Sequence, residues 1–187
     1  MPTQHRHDPN HLYFLTGAVV KWLNLFNNKE YAKIILNTLD WNRKQRRILL
    51  FAYVIMPTHI HLIIKPLSQC ISETVQSFAS YTSHEVLKKL KKHKDFRILE
   101  IMEQENRDQR SKYSVWQKFH SENIFSEQVL NQKLNYIHLN PVRNNEDLLF
   151  RSDDEYSSAK FYDLGKQGFI EIDDIRDYLS DIEKYDR

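Results

Sequence analysis

The sequence predicts an α/β sandwich of the ferredoxin-like type, with a mainly antiparallel sheet and helices packed against it. Segments with the apolar patterning of β-strands take turns along the chain with segments whose apolar residues repeat at helical spacing. Their order, β-α-β-β-α-β-α, suits an antiparallel sheet covered by helices. A length of 187 residues and an apolar content of 41% are enough for one domain with a hydrophobic core.

The first half of the chain supplies three of the predicted strands. Residues 11–26 are mixed apolar and β-rich, which predicts the first strand. Residues 29–47 predict a helix, because its apolar residues recur every three to four positions. Residues 48–56 and 59–65 then predict a hairpin of two strands around a Pro-Thr turn.

The second half predicts two long helices and one short strand. Residues 71–93 form an amphipathic helix that ends in the basic run KKLKKHK. The charged residues 96–114 fit no single pattern, and residues 115–120 predict a short strand. Residues 126–139 predict a helix that Pro141 ends, since proline lacks the amide hydrogen that a helix needs.

Charge divides the chain into two parts, although the net charge is only +2. Residues 1–145 carry an excess of lysine and arginine, and we expect them to form the functional domain. Residues 146–187 are acidic, and we expect them to form a C-terminal extension packed on that domain. A basic body favours a polyanion as partner, although the same charges could simply form solvated faces.

Other features restrict the cellular setting. Cys70 is the only cysteine, which excludes an internal disulfide and a cysteine-based zinc site. The sequence has no apolar run of about 18 residues, and its N-terminus lacks the pattern of a signal peptide. We therefore expect a cytoplasmic protein with no membrane partner.

The stretch YVIMPTHIHLIIKP places His59 and His61 one residue apart on a predicted strand. Side chains alternate across a strand, so the two imidazoles share one face while Ile60, Leu62 and Ile64 share the other. Two neighbouring imidazoles can bind one metal ion. They can equally be two core histidines whose nitrogens are satisfied by hydrogen bonds, and the H-x-H pattern alone does not decide.

The helix at residues 126–139 has an apolar stripe and a polar face. The stripe repeats at i, i+4 and i+7 and consists of Leu130, Leu134 and Ile137. Lys133, Tyr136 and Asn140 fall together on the polar face, whereas His138 points away from it. If this helix packs beside the strand of the histidines, a tyrosine and an amide can meet two imidazoles. An ordinary interface tyrosine is the alternative.

With these residues the chain resembles the HUH single-tyrosine transposases, most closely their REP-associated tyrosine transposase branch. The His-hydrophobic-His motif corresponds to residues 59–61 within MPTHIHLII, and the nucleophile motif corresponds to YIHLNPVRN at residues 136–144. VWQKF at residues 115–119 and EYSSAKFY at residues 155–162 also resemble segments of that branch. The four segments occur in the expected order.

The resemblance implies a DNA transposase that nicks and rejoins single-stranded or hairpin DNA through a 5′-phosphotyrosine. Tyr136 would be the nucleophile, and His59, His61 and Asn140 would hold a divalent metal, Mg²⁺ or Mn²⁺. From the residues themselves, Lys133 and Arg143 flank Tyr136 and are our candidates for phosphate contacts, and Trp116 could stack on a base, although a core role fits it at least as well. The resemblance allows either a monomer or a homodimer.

Two other functions fit part of the same pattern. One is a domesticated protein that binds hairpin DNA and keeps the fold without useful nicking activity. The other is a metal-dependent phosphoesterase acting on nucleotides, although the sequence has no second H-x-H and no H-x-T motif to support it. An intact set of His59, His61 and Tyr136 favours the nicking enzyme.

Overall fold

The fold centres on a four-stranded sheet in which every neighbouring pair is antiparallel. The computed structural model describes residues 11–106, 111–143 and 155–179. The strands are β1 (Leu12–Val19), β2 (Ile48–Ile55), β3 (His59–Pro66) and β4 (Trp116–Ile124). Their order across the sheet is β2-β3-β1-β4, so β3 is a central strand.

Five helices lie within the described ranges. They are α1 (Lys29–Lys44), α2 (Ile71–His93), α3 (Phe96–Gln104), α4 (Glu127–Arg143) and α5 (Ala159–Leu164). Residues 175–179 are also helical. The predicted α/β class, the antiparallel sheet and the order of the first seven predicted elements are confirmed.

The largest differences from the sequence prediction concern β1, the ambiguous segment, β4 and α4. β1 stops at Val19, and two short 3₁₀ turns occupy much of the remaining predicted strand. The ambiguous segment contains α3, and β4 continues to Ile124 because its pairing with β1 extends that far. Helix α4 runs past Pro141 to Arg143, so Pro141 does not end it. Pro141 lies in the last turn, where its missing N–H removes one helical hydrogen bond.

One face of the sheet is covered by α1, α2 and α3. It carries the larger core, to which β3 contributes Ile60, Leu62 and Ile64, as the alternation predicts. Gly17 on β1 belongs to this face, where a Cβ atom would lie 2.4 Å from Cε1 of Phe119. The glycine is therefore needed because the Phe119 ring packs directly on the backbone of β1.

The opposite face is covered by α4 and by residues 175–179. A second apolar cluster lies there, and its sheet side includes Phe14, Val54 and Ile63. The predicted stripe of α4 faces this cluster, with all three residues buried: Leu130, Leu134 and Ile137. The stripe fixes the rotation of α4 about its axis and so decides which residues of α4 face the rest of the sheet.

The described C-terminal residues pack along β2. Ile55 and Tyr156 share a backbone hydrogen bond of 2.9 Å, and the Tyr162 hydroxyl donates to the carbonyl oxygen of Phe51 at 2.8 Å. Asp173 accepts from the guanidinium of Arg43 at 3.2 Å. These contacts hold residues 155–179 against the sheet, while the division of the chain at residue 145 stays a prediction.

The described helices include none that is both long enough and apolar enough to span a bilayer.

Candidate active site

The two histidines of β3 lie side by side on the face of the sheet that α4 covers. In the sheet register His59 opposes Ala18 and His61 opposes Thr16, both on β1. The two imidazole centroids are 4.8 Å apart, with the ring planes at 78°. His61 is only 4% exposed, and His59 is half-buried. The central position of β3 therefore gives the pair a rigid and mostly dry setting.

Each imidazole uses one nitrogen for a hydrogen bond with a threonine hydroxyl. Nδ1 of His61 lies 2.9 Å from Oγ1 of Thr16, and Nδ1 of His59 lies 2.9 Å from Oγ1 of Thr58. Nε2 of His61 is buried and has no hydrogen-bond partner among the residues that the structure describes. A buried nitrogen in that state is unusual in proteins and calls for a ligand.

Burial keeps both imidazoles neutral at physiological pH. Loss of hydration lowers the pKa of His61 to about 3, and the charges of His59 and Lys133 act on that pKa in the same direction. Burial also lowers the pKa of His59. Neutral imidazole is the form that binds metal ions, because a protonated ring has no free lone pair.

Tyr136 reaches this histidine pair from α4. The ring centroids of Tyr136 and His61 are 5.1 Å apart, and the planes meet edge to face at 77°. Phe14 of β1 stacks on His61 at 5.4 Å and meets the Tyr136 ring at 5.9 Å. Tyr136 is 40% exposed, so it is open to an incoming molecule. The structure therefore brings together the two histidines and the tyrosine that the sequence motifs indicate.

Lys133 lies one turn before Tyr136 on the same side of α4. Its Nζ is 2.6 Å from Oε2 of Glu122 on β4 and 4.5 Å from the centroid of Phe14. The lysine is mostly buried, while Glu122 is exposed. The ammonium group of Lys133 is thus held beside Tyr136, but it is already paired with the carboxylate of Glu122.

Three further residues of α4 that the sequence analysis considered are Asn140, Arg143 and His138. Asn140 and Arg143 belong to α4, but their side chains lie outside what the structure describes, so their roles stay predictions. His138 points away from the site, as predicted, and contacts Ser158 Oγ at 3.0 Å through Nε2.

The structure corrects the assignment of Trp116 to base stacking. Trp116 is 8% exposed and packs against Phe26, Phe78 and Phe119 on the other face of the sheet. Its indole N–H donates to the hydroxyl of Thr82 at 3.0 Å. A ring that is buried among other aromatic rings and has its only donor satisfied is a core residue, and we do not assign it a DNA contact.

The donor set at the histidine pair fits a divalent ion. The open Nε2 of His61 and the neutral state of both rings suit metal binding. Within the described residues, no group of three His, Cys, Asp or Glu side chains could hold a metal. The predicted third ligand is the amide of Asn140, whose side chain the structure does not describe, so it stays a prediction.

Sequence reasoning missed four residues around this pair: Thr16, Thr58, Phe14 and Glu122. Thr58 directly precedes the first histidine, so its proximity could have been noted. The other three come from β1 and β4, and their position depends on strand order and register. No local pattern in one sequence states which strands become neighbours.

Known proteins resemble this chain in sequence and in fold. Residues 10–99 match the sequence profile of the family described as Transposase IS200 like. A search of curated proteins finds no match. Among solved structures, a REP-associated tyrosine transposase bound to a REP hairpin matches with a TM-score of 0.62 and 16% identity. The alignment covers 88% of this chain and 87% of that one.

A second solved structure also matches, with a lower TM-score. It is a provisionally assigned transposase from Deinococcus radiodurans R1, with a TM-score of 0.45 and 15% identity. The match covers 78% of this chain and 98% of the other.

The antiparallel sheet, the paired histidines and the neighbouring Tyr136 agree with the predicted resemblance to the HUH single-tyrosine transposases. The family match spans residues 10–99 and contains both histidines, and the likeness in fold to the REP-associated structure extends over 88% of the chain. These two findings bear out the predicted family resemblance.

Proposed function

We propose that the protein nicks and rejoins single-stranded or hairpin DNA through a covalent 5′-phosphotyrosine intermediate at Tyr136. The observation that carries the proposal is the edge-to-face contact of Tyr136 with His61, at a centroid distance of 5.1 Å. The proposed nucleophile on α4 and the two proposed metal ligands on β3 come from separate elements and lie next to one another. Chance placement of an interface tyrosine would not require its neighbour to be a histidine whose Nε2 lacks a partner in the described part of the chain.

Tyr136 would attack the scissile phosphorus through its phenolic oxygen. The new bond joins this oxygen to the 5′ phosphate, and the bond from phosphorus to the 3′ oxygen breaks. The phenolic proton is lost and the leaving 3′ oxygen gains one, so a free 3′-hydroxyl results. One phosphoester replaces another, so the reverse attack by a 3′-hydroxyl can rejoin the strand without a nucleoside triphosphate.

His59 and His61 would hold the divalent ion, Mg²⁺ or Mn²⁺, with Asn140 as the proposed third protein ligand. A bound ion would polarise a non-bridging phosphate oxygen and help to align the phosphodiester with the nucleophile. These three ligands are neutral, so they leave the positive charge of the site uncompensated. A site of that charge attracts a phosphodiester, which a cage of carboxylates would repel.

The protein side of the site also restricts the nucleophile. Phe14 contacts both the His61 ring and the Tyr136 ring. The buried stripe of α4 prevents the helix from rotating freely. Tyr136 therefore has little rotational freedom to lose when a phosphate binds, which lowers the entropic cost of reaching a near-attack distance of about 3–3.5 Å.

DNA affinity would come from cations spread over a wider surface. Lys133 and Arg143 on α4 are our candidates for phosphate contacts beside the nucleophile. Two further basic groups lie at residues 43–47 and 88–94 and could follow the phosphate backbone. The solved relative was bound to a REP hairpin, and we propose a hairpin with a flanking single strand as substrate here, bound by a monomer or a homodimer.

The test is a search for the covalent adduct. The protein is incubated with candidate hairpin oligonucleotides and Mn²⁺, denatured, digested and analysed by mass spectrometry. We expect a nucleotide attached through phosphate to the peptide that contains Tyr136. Attachment to another tyrosine would contradict the assignment of the nucleophile.

The same experiment separates the two other candidate functions. Cleavage that gives two free ends and no adduct would mean that water attacks, as in a phosphoesterase. Tight hairpin binding without cleavage under any divalent ion would indicate a domesticated binding protein. The open, 40% exposed Tyr136 beside the histidines favours neither of these alternatives.

A further inference from the structure

Each histidine of the site has the same kind of hydrogen-bond partner, a threonine hydroxyl at Nδ1. Thr16 contacts His61 and Thr58 contacts His59, each at 2.9 Å. A neutral imidazole carries one proton, so one ring nitrogen donates while the other offers a lone pair. A threonine hydroxyl can accept a hydrogen bond from Nδ1–H, and Nε2 then presents a lone pair. It can instead donate to an unprotonated Nδ1, and Nε2 then carries the proton.

The aromatic contacts of the two imidazoles do not fix the positions of the ring nitrogens. Phe14 lies nearly parallel to the His61 ring, at 16°, and Trp22 meets the His59 ring edge to face at 75°. Turning either imidazole over by half a turn would preserve most of this contact area while exchanging its nitrogen and carbon positions. A hydrogen bond at Nδ1 is lost by that turn, so it is the contact that distinguishes the two orientations.

The buried environment favours the proton on Nδ1. Nε2 of His61 has no hydrogen-bond partner in the described parts of the chain. If that nitrogen carried the proton, a buried N–H would lack an acceptor, which is energetically unfavourable. With the proton on Nδ1, the threonine oxygen accepts it, and Nε2 presents only a lone pair.

The two threonines are themselves fixed by the backbone of β1. Thr16 lies in the middle of β1, paired with His61 on one side and with His120 on the other. Thr58 is held because its carbonyl oxygen accepts from the backbone N–H of Val19 at 2.9 Å. Thr16 thus belongs to the sheet, and Thr58 is tied to β1 from the turn between β2 and β3, so both hydroxyls can impose an orientation on the rings.

We propose that Thr16 and Thr58 are positioning residues that hold His61 and His59 as the Nδ1–H tautomers, with both Nε2 lone pairs ready for one metal ion. The proposal rests on the metal role given above to the two histidines. In water a free histidine carries its proton mainly on Nε2, so the tautomer needed here has to be imposed by a hydrogen bond at Nδ1.

The first test reads the tautomers directly in the metal-free protein. Long-range ¹H–¹⁵N NMR on protein labelled at histidine distinguishes a protonated Nδ1 from a protonated Nε2. We expect the Nδ1–H form for His59 and His61 in the wild type, and a shift toward Nε2–H for His61 in Thr16→Val. A wild-type Nε2–H tautomer at either ring would overturn the proposal for that ring.

The second test measures the affinity for Mn²⁺ by isothermal titration calorimetry, with no DNA and no activity involved. Thr16→Val and Thr58→Val keep the side-chain shape and should weaken Mn²⁺ binding about 10- to 100-fold. Thr16→Ser keeps a hydroxyl and should restore most of the affinity. Thr74→Val is the matched control, because the Thr74 hydroxyl bonds the carbonyl of Cys70 at a distant helix start.

The outcomes separate this proposal from the proposed function. Unchanged Mn²⁺ affinity in both valine variants would overturn the positioning role even if the wild type cleaves DNA. A wild type that binds no Mn²⁺ would contradict the metal part of the proposed function, while NMR would still decide the tautomers. If Thr16→Val does not fold, the wild-type tautomers and the Thr58→Val titration decide the proposal.

Discussion

The two faces of the sheet use the same strands for different purposes. On the face covered by α1, α2 and α3, consecutive inward side chains of β3 are all aliphatic and all buried: Ile60, Leu62 and Ile64. On the other face β3 presents His59, His61 and Ile63, and only the last of these joins an apolar cluster. One face is therefore core along the whole of β3, while the other changes from core to a polar site.

The difference shows how a site can be built without weakening the fold. α4 packs on the second face through Leu130, Leu134 and Ile137, which supply its apolar contact area. Tyr136 and Lys133 occupy positions beside that stripe and point toward the histidine half of the face. The buried half holds the helix, so the polar half is free to carry groups that contribute little to stability.

The largest effect should come from removal of the proposed nucleophile. Tyr136→Phe deletes one oxygen from a ring that is 40% exposed, so the free energy of unfolding should change by no more than about 1 kcal/mol. Covalent DNA adduct should disappear completely while hairpin binding persists. Gel analysis of trapped adduct and thermal unfolding measure the two quantities.

Tyr81→Phe is the control for this variant. Tyr81 is also an exposed tyrosine, at 57%, but it belongs to α2 on the other side of the sheet. It should form adduct at the wild-type level. Adduct in Tyr136→Phe would remove the basis for a nucleophile on α4.

A pair of neighbouring substitutions on β3 tests the comparison of the faces most directly. His61→Ala should abolish detectable nicking and leave hairpin affinity within about twofold, because phosphate contacts elsewhere supply most of the affinity. Leu62→Ala, one residue away on the other face, should lower the free energy of unfolding by about 2–5 kcal/mol. At a temperature where it is folded, it should keep its nicking activity.

Urea unfolding measures the free energy of unfolding of each variant, and single-turnover cleavage with Mn²⁺ measures its nicking activity. Wild-type cleavage by His61→Ala in metal-stripped buffer would contradict the proposed metal site.

Asn140→Ala should reduce nicking less than His61→Ala does, since water can replace one amide ligand of a metal ion. Equal loss in both would make Asn140 as important as the histidine.

Sequence patterns predicted the parts of this molecule that depend on local periodicity. The alternation across residues 59–64 assigned the faces of β3 correctly, and the apolar stripe of α4 gave its buried side. Together these two patterns are enough to place Tyr136 near the histidines once α4 packs beside β3. Helix and strand periods are local properties, which is why one sequence reveals them.

Features that depend on long-range pairing were not predicted. Thr16 lies 45 residues before His61, and their hydrogen bond follows from the pairing of β1 with β3. The burial of Trp116 depends on its face of β4 and on the bulge between Ala18 and Val19 in the β1–β4 pairing. An aromatic residue in a basic sequence can be core or surface, and composition does not distinguish these positions.

The close packing of the first face can be tested at Gly17. Gly17→Ala places a methyl group 2.4 Å from the Phe119 ring, and the strain should cost about 1–3 kcal/mol of unfolding free energy. The double variant Gly17→Ala, Phe119→Leu should recover part of this loss relative to the sum of the single variants. Chemical unfolding of all three variants provides the comparison, and simple additivity would mean that the two residues do not clash.

The smallest expected effect concerns the ion pair at the edge of the polar face. Glu122 holds Lys133 with an Oε2 to Nζ distance of 2.6 Å, and the carboxylate is exposed. A phosphate that uses Lys133 must displace this partner. Glu122→Gln should therefore strengthen hairpin binding about 2- to 5-fold at low salt, because an exposed ion pair is worth only about 0–1 kcal/mol. Fluorescence anisotropy with a labelled hairpin measures this change, and it should shrink as salt rises.

Two further variants decide whether the gain acts through Lys133. Glu103→Gln, which frees Lys112 from a similar surface pair, controls for the general loss of a negative charge. In a Lys133→Gln background the Glu122 substitution should have no further effect, since no lysine remains to be released. An equal gain in both backgrounds would show that Glu122 acts by repelling DNA directly, and Lys133 would then lose its proposed phosphate contact.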